Sequence, residues 1–154
     1  MRVFLRICPV LQLIFVHRDR LAGNWGIVDV DDCIHAARAL SSPPYNLIDP
    51  SRVVIRGGSA GGFTVLATLS IASDLTVFAA GTSSYGISDM RKLEEDTHKF
   101  ESSYLSKLMG GTPEEVPDVY RQRSPVFHAD NIVAPLLVSF EQRPGGQSIL
   151  LSLT

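Results

Sequence analysis

A serine set among glycines offers the clearest chemistry in this chain, at Ser59. A serine hydroxyl attacks a carbonyl carbon once a base, usually histidine, takes its proton and an acid orients that base. The G-x-S-x-G spacing makes a sharp turn called a nucleophile elbow. Such a turn needs glycine at positions where a side chain would collide with the neighbouring strand or helix. We assign Gly57, Gly61 and Gly62 to these positions. We therefore predict that Ser59 is a catalytic nucleophile and that the backbone N–H of Ala60 donates to the developing oxyanion.

Such an elbow has to stand between a strand and a helix, and the sequence on either side of it predicts both. Val53–Ile55 is apolar without polar alternation, as in a strand covered on both faces, and helical spacing of apolar residues follows over Gly61–Ala72. Strands and helices alternate along the chain, which predicts an α/β fold with a mostly parallel sheet and helices on both faces. The other predicted elements are a helix at Asp29–Leu40 and strands at Val10–Val16, Val77–Gly81 and Pro135–Phe140.

Three aspartates, Asp29, Asp31 and Asp32, crowd the first turn of the predicted helix at 29–40. The helix dipole favours negative charge there, so we interpret them as capping residues rather than metal ligands. Cys33 on the same helix is predicted to be a small buried residue, and no C-x-x-C motif or Cys/His cluster indicates a metal site. We therefore expect no metal.

Composition and charge narrow the range of partners. The chain has 154 residues, of which 45% are hydrophobic and 19% charged, and its formal net charge is -2 with no basic run. These values are typical of one soluble domain with a core, and they argue against nucleic acid as a partner. Met1–Val16 is apolar but interrupted by Arg2 and Arg6, so it is too short and too charged for a membrane span and unlike a secretory signal. We therefore expect no membrane association and a cytoplasmic location.

Several segments around the elbow resemble the catalytic domain of the prolyl oligopeptidase family, which has the α/β-hydrolase fold. They are Arg18–Leu21, Trp25–Asp32, Gly57–Phe63, Asp96–Glu101 with Tyr104-Leu105, and Ser124–His128. The dipeptidyl-peptidase and acylaminoacyl-peptidase branch is the most similar. The resemblance implies a serine peptidase that cleaves short peptides without a metal or cofactor. It divides the chain into a divergent N-terminal segment (1–16), a partial catalytic domain (17–140) and a divergent tail (141–154).

The partners that Ser59 requires are missing from the family positions. In this fold the acid and then the histidine follow the serine, and the family's aspartate lies just after the strand that corresponds to Pro135–Phe140. The sequence has no aspartate after Asp130 and no histidine after His128, and Glu141 lies too close to the strand end. We identify no triad aspartate or histidine, and we predict that the chain as written is truncated and has no useful peptidase activity.

None of the four histidines fits the role of the base. His17 lies where the chain departs from the family, His35 falls in the middle of a predicted helix, and His128 just precedes a strand. His98 belongs to a family-like segment, and we interpret it as structural or as part of the pocket rim. It is two residues from Asp96, and such a pair does not face each other on a helix.

The resemblance also implies that a second oxyanion donor and further strands lie upstream of the aligned region. If Val10–Val16 replaces the strand before the helix at 29–40, a strand beside the nucleophile strand is still absent and leaves backbone groups unpaired. We therefore expect an incomplete α/β-hydrolase fold. Two alternatives to a partial serine peptidase stay open: a carboxylesterase or lipase of the same fold, and a non-catalytic remnant that binds a full-length relative.

Overall fold

A five-stranded sheet forms the centre of the computed structural model, which describes residues 4–7, 19–97, 102–140 and 149–153. The first four strands are parallel and the fifth is antiparallel to the fourth. This confirms the predicted α/β class with a mostly parallel sheet. In spatial order the strands are β1 (Phe4–Ile7), β2 (Val54–Gly58), β3 (Ala80–Ser84), β4 (Leu136–Phe140) and β5 (Ile149–Leu153). The helices are α1 (Val28–Ser41), α2 (Ala60–Ser70), α3 (Met90–Thr97), α4 (Ser102–Met109) and α5 (Pro117–Gln122), with 3-10 segments at Pro50–Arg52 and Pro125–Asn131.

Helix α2 is the most deeply buried helix of the described chain, since every residue from Gly61 to Ser70 is buried. It lies against the sheet face that carries Gly81, where an added Cβ would be 3.2 Å from Val65 Cγ1 and closer still to Leu69. Helix α1 packs on α2. The face that α1 buries is the one predicted from its apolar spacing, namely Val30, Cys33, Ile34 and Ala37. Burial raises the pKa of the Cys33 thiol to about 12, in keeping with its predicted place in the core.

One sheet face is covered within the described residues, where helices on both faces were expected. Ile55 is fully buried on the side of α2, whereas Arg56, its neighbour in β2, is exposed on the opposite side. The register places Arg56 beside Thr82 and Leu137, both half-buried. The alternation of buried and accessible residues along β2, β3 and β4 is the pattern of a sheet that packs on one side.

The third strand begins later than the sequence predicted. The interval Val77–Gly81 was predicted from its apolar residues, whereas β3 spans Ala80–Ser84. Before it, the Asp74 carboxylate accepts the Thr76 hydroxyl at 2.6 Å and the Thr76 N–H at 3.0 Å, which holds a turn. Phe78 is buried by packing outside the strand. Pairing with β2 and β4, rather than local apolarity, therefore determines where the strand lies.

The N-terminal end of the chain differs from the expectation as well. Phe4–Ile7 pairs in parallel with β2, with Leu5 opposite Ile55. The strand predicted at Val10–Val16 lies outside the described residues. The expected gap beside the nucleophile strand was therefore wrong, because the first strand of the chain itself occupies that position. Among the described helices, none is long and apolar enough to cross a membrane.

Candidate active site

Ser59 occupies the single residue between β2 and α2, in a backbone conformation that side chains rarely adopt. Its φ is 54° and its ψ is -121°. Its N–H donates to the Ser84 carbonyl at 2.8 Å, and its own carbonyl accepts the Phe63 N–H at 3.0 Å as the first bond of the helix. Because strain of this kind persists only where neighbouring structure fixes it, the turn holds Ser59 at the end of the sheet. The residue is solvent-exposed there.

Two glycines allow the close approach on which this turn depends. A Cβ on Gly57 would overlap the carbonyl group of Gly61, so no side chain fits where β2 enters the turn. A Cβ on Gly62 would lie 2.7 Å from Gly86 Cα, which brings the first turn of α2 against the segment after β3. Substitution at either position requires backbone movement. Close backbone contacts before and after Ser59 therefore fix the conformation of this turn.

The backbone N–H of Ala60 stands at the N-terminus of α2. The first N–H groups of a helix have no carbonyl partner within it, and the helix dipole gives them partial positive charge. Ala60 follows Ser59 directly, so its N–H lies beside the hydroxyl of an exposed serine. The Ala60 N–H can therefore donate to a negatively charged oxygen held next to the Ser59 hydroxyl.

Tyr85 is a second strained residue next to Ser59, and the sequence analysis did not single it out. Gly58 and Ser84 are paired at the ends of neighbouring strands. The residues that follow them, Ser59 and Tyr85, therefore lie side by side at the same edge of the sheet. Tyr85 has φ 54°, its N–H donates to the Ser139 carbonyl at 2.8 Å, and its side chain is 52% exposed. A bulky residue at positive φ is an outlier. The signal in the sequence that could have identified Tyr85 is an aromatic residue directly before Gly86, at the end of a strand.

Asp29 connects the start of α1 to the helix that follows Ser59. Its carboxylate accepts the Gly26 N–H at 2.7 Å and the Thr64 hydroxyl at 2.6 Å. Burial raises the pKa of Asp29, against the lowering effect of these hydrogen bonds. Asp31 and Asp32 are exposed. The predicted capping was wrong as far as side-chain hydrogen bonds go, because the N-cap residue is Ile27 and no side chain caps the helix. Asp29 instead joins two elements, since its partners are Gly26 and Thr64.

Two of the four histidines, His35 and His128, lie in the described residues. His35 is exposed on α1. His128 lies in the 3-10 segment that runs along α2 towards Ser70, whose carbonyl accepts from Asn131 at 3.1 Å. The buried Nε2 of His128 has no hydrogen-bond partner. His17, His98 and Glu141 lie outside the described residues.

No metal cluster marks the site in the described part of the chain, and the cavity described there does not include Ser59. No group of three or more His, Cys, Asp or Glu side chains in residues 4–7, 19–97, 102–140 and 149–153 could hold a metal ion. A cavity of about 420 Å³ lies between α3, α5 and the 3-10 segment at 125–131. Its lining includes Lys92, Tyr120 and Phe127 but not Ser59. Ser59 is thus a surface group rather than part of that cavity.

Comparison with known proteins identifies relatives of this arrangement. Residues 16–140 match the prolyl oligopeptidase family. A probable dipeptidyl-aminopeptidase B of Metarhizium robertsii is 42% identical over 71 residues, which are 46% of this chain and 7% of that protein. A puromycin-hydrolysing peptidase of Mycobacterium tuberculosis superimposes with a TM-score of 0.71 at 46% identity, covering 79% of this chain and 18% of that one. An acylaminoacyl peptidase of Pyrococcus horikoshii superimposes with a TM-score of 0.63 at 28% identity, covering 78% and 19%.

The resemblance inferred from the sequence is confirmed by these matches, including the dipeptidyl-peptidase and acylaminoacyl-peptidase branch. The chain spans less than half the length of the curated relatives that it matches, with shares of 7%, 45% and 10%. It therefore corresponds to part of an α/β-hydrolase domain.

Proposed function

Because the chain belongs to the prolyl oligopeptidase family, we propose that residues 17–140 are part of the catalytic domain of a serine-type peptidase in which Ser59 is the nucleophile. In this reaction the Ser59 oxygen bonds to the carbonyl carbon of a short peptide and the amine leaves with the hydroxyl proton, which a base transfers. Water then releases the acyl group. The Ala60 N–H donates to the carbonyl oxygen while it carries negative charge. The chemistry needs no cofactor.

The observation that carries this proposal is the backbone of Ser59. A positive φ at an exposed serine between a parallel strand and a buried helix is the geometry that G-x-S-x-G elbows use to present a nucleophile. Tyr85 supports it, since a strained aromatic residue beside Ser59 suits contact with the substrate. We infer that its ring forms one wall for an apolar side chain of the peptide, next to the bond to be cleaved.

We also propose that a polypeptide of residues 1–154 turns over no peptide by itself. Removing the histidine of a serine protease lowers turnover about a million-fold. The activity that remains is on the order of a thousand-fold over water and depends on the oxyanion hole. Of the described histidines, His35 is exposed on α1 and the buried Nε2 of His128 has no hydrogen-bond partner, so neither donates to or accepts from the Ser59 hydroxyl through such a bond. A weak nucleophile without a base is therefore expected.

Labelling with a fluorophosphonate probe, mapped by mass spectrometry, tests both proposals. We expect slow labelling of Ser59 that is lost in Ser59→Ala and kept in Ser51→Ala, a matched exposed serine. No labelling, or labelling mainly at another serine, contradicts the nucleophile assignment. Rapid labelling of Ser59 contradicts the expected lack of a base.

Turnover assays separate the reaction classes. With residues 1–154 we expect no hydrolysis of puromycin or of aminoacyl anilides above the level of Ser59→Ala. Ser59-dependent hydrolysis of p-nitrophenyl esters without any anilide cleavage would instead favour the carboxylesterase alternative. Anilide cleavage lost in Ser59→Ala would show that the chain supplies its own base.

A further inference from the structure

The Thr64 hydroxyl lies between two acceptors that belong to different elements. Asp29 Oδ2, on α1, is 2.6 Å from Thr64 Oγ1, and the Ala60 carbonyl oxygen, one turn earlier in α2, is 3.3 Å from it. A hydroxyl has one proton to donate, so only one of these acceptors receives it at a time. The shorter distance and the charge of the carboxylate favour Asp29. The Ala60 carbonyl is therefore left to the helix backbone.

This competition matters because of where Ala60 lies. A threonine inside a helix commonly donates to the carbonyl four residues earlier, and such back-bonding tends to bend the helix. For Thr64 that carbonyl belongs to Ala60, in the turn that begins with the proposed oxyanion donor. Bending here would tilt the peptide groups on both sides of Ala60. The direction of the Ala60 N–H then depends on which acceptor Thr64 uses.

Asp29 is held firmly enough to act as a fixed acceptor. Its other oxygen takes the Gly26 N–H at 2.7 Å. Gly26 has φ 84°, and a Cβ there would be 2.9 Å from the Phe63 ring, so this loop lies directly on α2. The ring of Trp25 lies 4.7 Å from that of Phe63. The carboxylate is thus pinned between a packed loop and the first turn of α2.

We propose that Asp29 is a positioning residue for the oxyanion donor: it draws the Thr64 hydroxyl away from the Ala60 carbonyl and so keeps the first turn of α2 in the form that directs the Ala60 N–H towards the site. The inference rests on the proposed role of Ser59 and Ala60. It extends that role to Asp29, a partly buried side chain that touches no substrate. Asp31 provides a matched comparison, because it is an exposed aspartate in the same turn of α1.

Four variants of the 154-residue chain test the competition: Asp29→Asn, Thr64→Val, the double variant and Asp31→Asn. In Asp29→Asn the amide oxygen keeps the Gly26 N–H, so its NH₂ faces Thr64 and the hydroxyl proton turns to the Ala60 carbonyl. We expect the Ala60 amide resonance to move and hydrogen exchange at Phe63 to speed up about tenfold or more. In Thr64→Val and in Asp31→Asn, the Ala60 amide resonance should stay at its wild-type position. The exchange rate at Phe63 should stay within about twofold of wild type.

The double variant gives the decisive result. Without the hydroxyl there is nothing to compete for the Ala60 carbonyl, so Thr64→Val should bring the Ala60 resonance and the Phe63 exchange rate of Asp29→Asn back towards wild type. A double variant that is worse than Asp29→Asn, or an Asp31→Asn variant that behaves like Asp29→Asn, overturns the proposal. If Asp29→Asn does not fold, the Thr64→Val variant tests the proposal. A large shift of the Ala60 resonance in that variant would contradict the proposed competition for the Thr64 hydroxyl.

Fluorophosphonate labelling adds a chemical readout. We expect Ser59 to label about tenfold more slowly in Asp29→Asn than in wild type, with recovery in the double variant. Unchanged labelling alongside a displaced Ala60 amide overturns the link to the oxyanion donor. If wild type fails to label at all, the nucleophile assignment fails, while the amide measurements still decide the Asp29–Thr64 competition.

Discussion

The exposed position of Ser59 is accompanied by a strained backbone conformation. At φ 54° and ψ -121° a side chain is unfavourable, and such residues cost on the order of 1–3 kcal/mol. Glycine adopts positive φ freely, although it also makes the unfolded chain more flexible. The serine is therefore retained at the expense of stability, as is usual where a residue type is needed for chemistry.

Replacing Ser59 by glycine should stabilise the fold relative to alanine. We expect Ser59→Gly to have a free energy of unfolding about 1 kcal/mol higher than Ser59→Ala, since only glycine relieves the strain. Urea denaturation measures the difference. The matched control is Ala39→Gly at an exposed position of α1, where glycine should cost about 1 kcal/mol. Equal stabilities for the two Ser59 variants would contradict a strained turn.

At the level of elements, one loop ties the helices after β3 to the helix of the proposed nucleophile. The Gly23 N–H donates to the Lys107 carbonyl at 2.9 Å and the Trp25 N–H to the Leu108 carbonyl at 3.3 Å, so the loop completes the C-terminal end of α4. The Arg123 guanidinium donates to the carbonyls of Gly23 and Trp25, each at 3.1 Å. Arg123 thus joins the end of α5 to the same loop.

Loss of the Arg123 contacts should loosen this junction. Because two carbonyls lose a charged donor, we expect Arg123→Gln to lower the free energy of unfolding by about 1–3 kcal/mol. Arg121→Gln is the matched control: Arg121 is exposed and its guanidinium lies 5.2 Å from the Phe127 ring centroid, a contact worth about 0.5–1 kcal/mol. Chemical denaturation of the three proteins decides. Similar losses in both variants would mean that the loop contacts add little.

The elements show where local sequence is sufficient and where it is not. The helix at Asp29–Leu40 and the strand at Pro135–Phe140 were predicted within about one residue, because apolar spacing and length fix them. The strand at Ala80–Ser84 was misplaced, since small polar residues become a strand only through pairing with both neighbours. The tertiary roles of Asp29 and Tyr85 likewise depend on partners distant in sequence, Thr64 and Ser139. Periodicity does not encode such contacts.

At the scale of the whole molecule, packing is one-sided in the described residues. Part of the core lies between the sheet and the pair α1–α2, with Phe63 and Ile55 fully buried, and the same core extends to buried residues of α3, α4 and α5. The opposite sheet face presents Arg56 and half-buried small residues of β3. The relatives extend well beyond the matched region, since the chain spans 18% of the Mycobacterium tuberculosis structure. Stability of the 154-residue chain therefore depends on one packed sheet face and on the local contacts of carboxylates such as Asp29 and Asp74.

Those charges give the molecule a predictable dependence of stability on pH. Burial raises the pKa of Asp29, so folding favours its protonated form. The associated stabilisation is complete below the unfolded value of 3.8 and is lost as pH rises through the folded value. Asp74 acts in the opposite sense: the Thr76 hydroxyl and N–H, and then Arg38, lower its pKa to about 2. Its stabilisation is present above 3.8 and is lost as pH falls through about 2.

Urea denaturation across the acidic range separates the two groups. The free energy of unfolding of Asp29→Asn, relative to wild type, should rise as pH increases from about 3.8 and then level off, because the variant no longer loses stability on ionisation. That of Asp74→Asn, relative to wild type, should fall between about pH 2 and pH 4 and then stay constant. A difference for Asp29→Asn that falls with pH would mean that its hydrogen bonds, rather than its burial, control the ionisation.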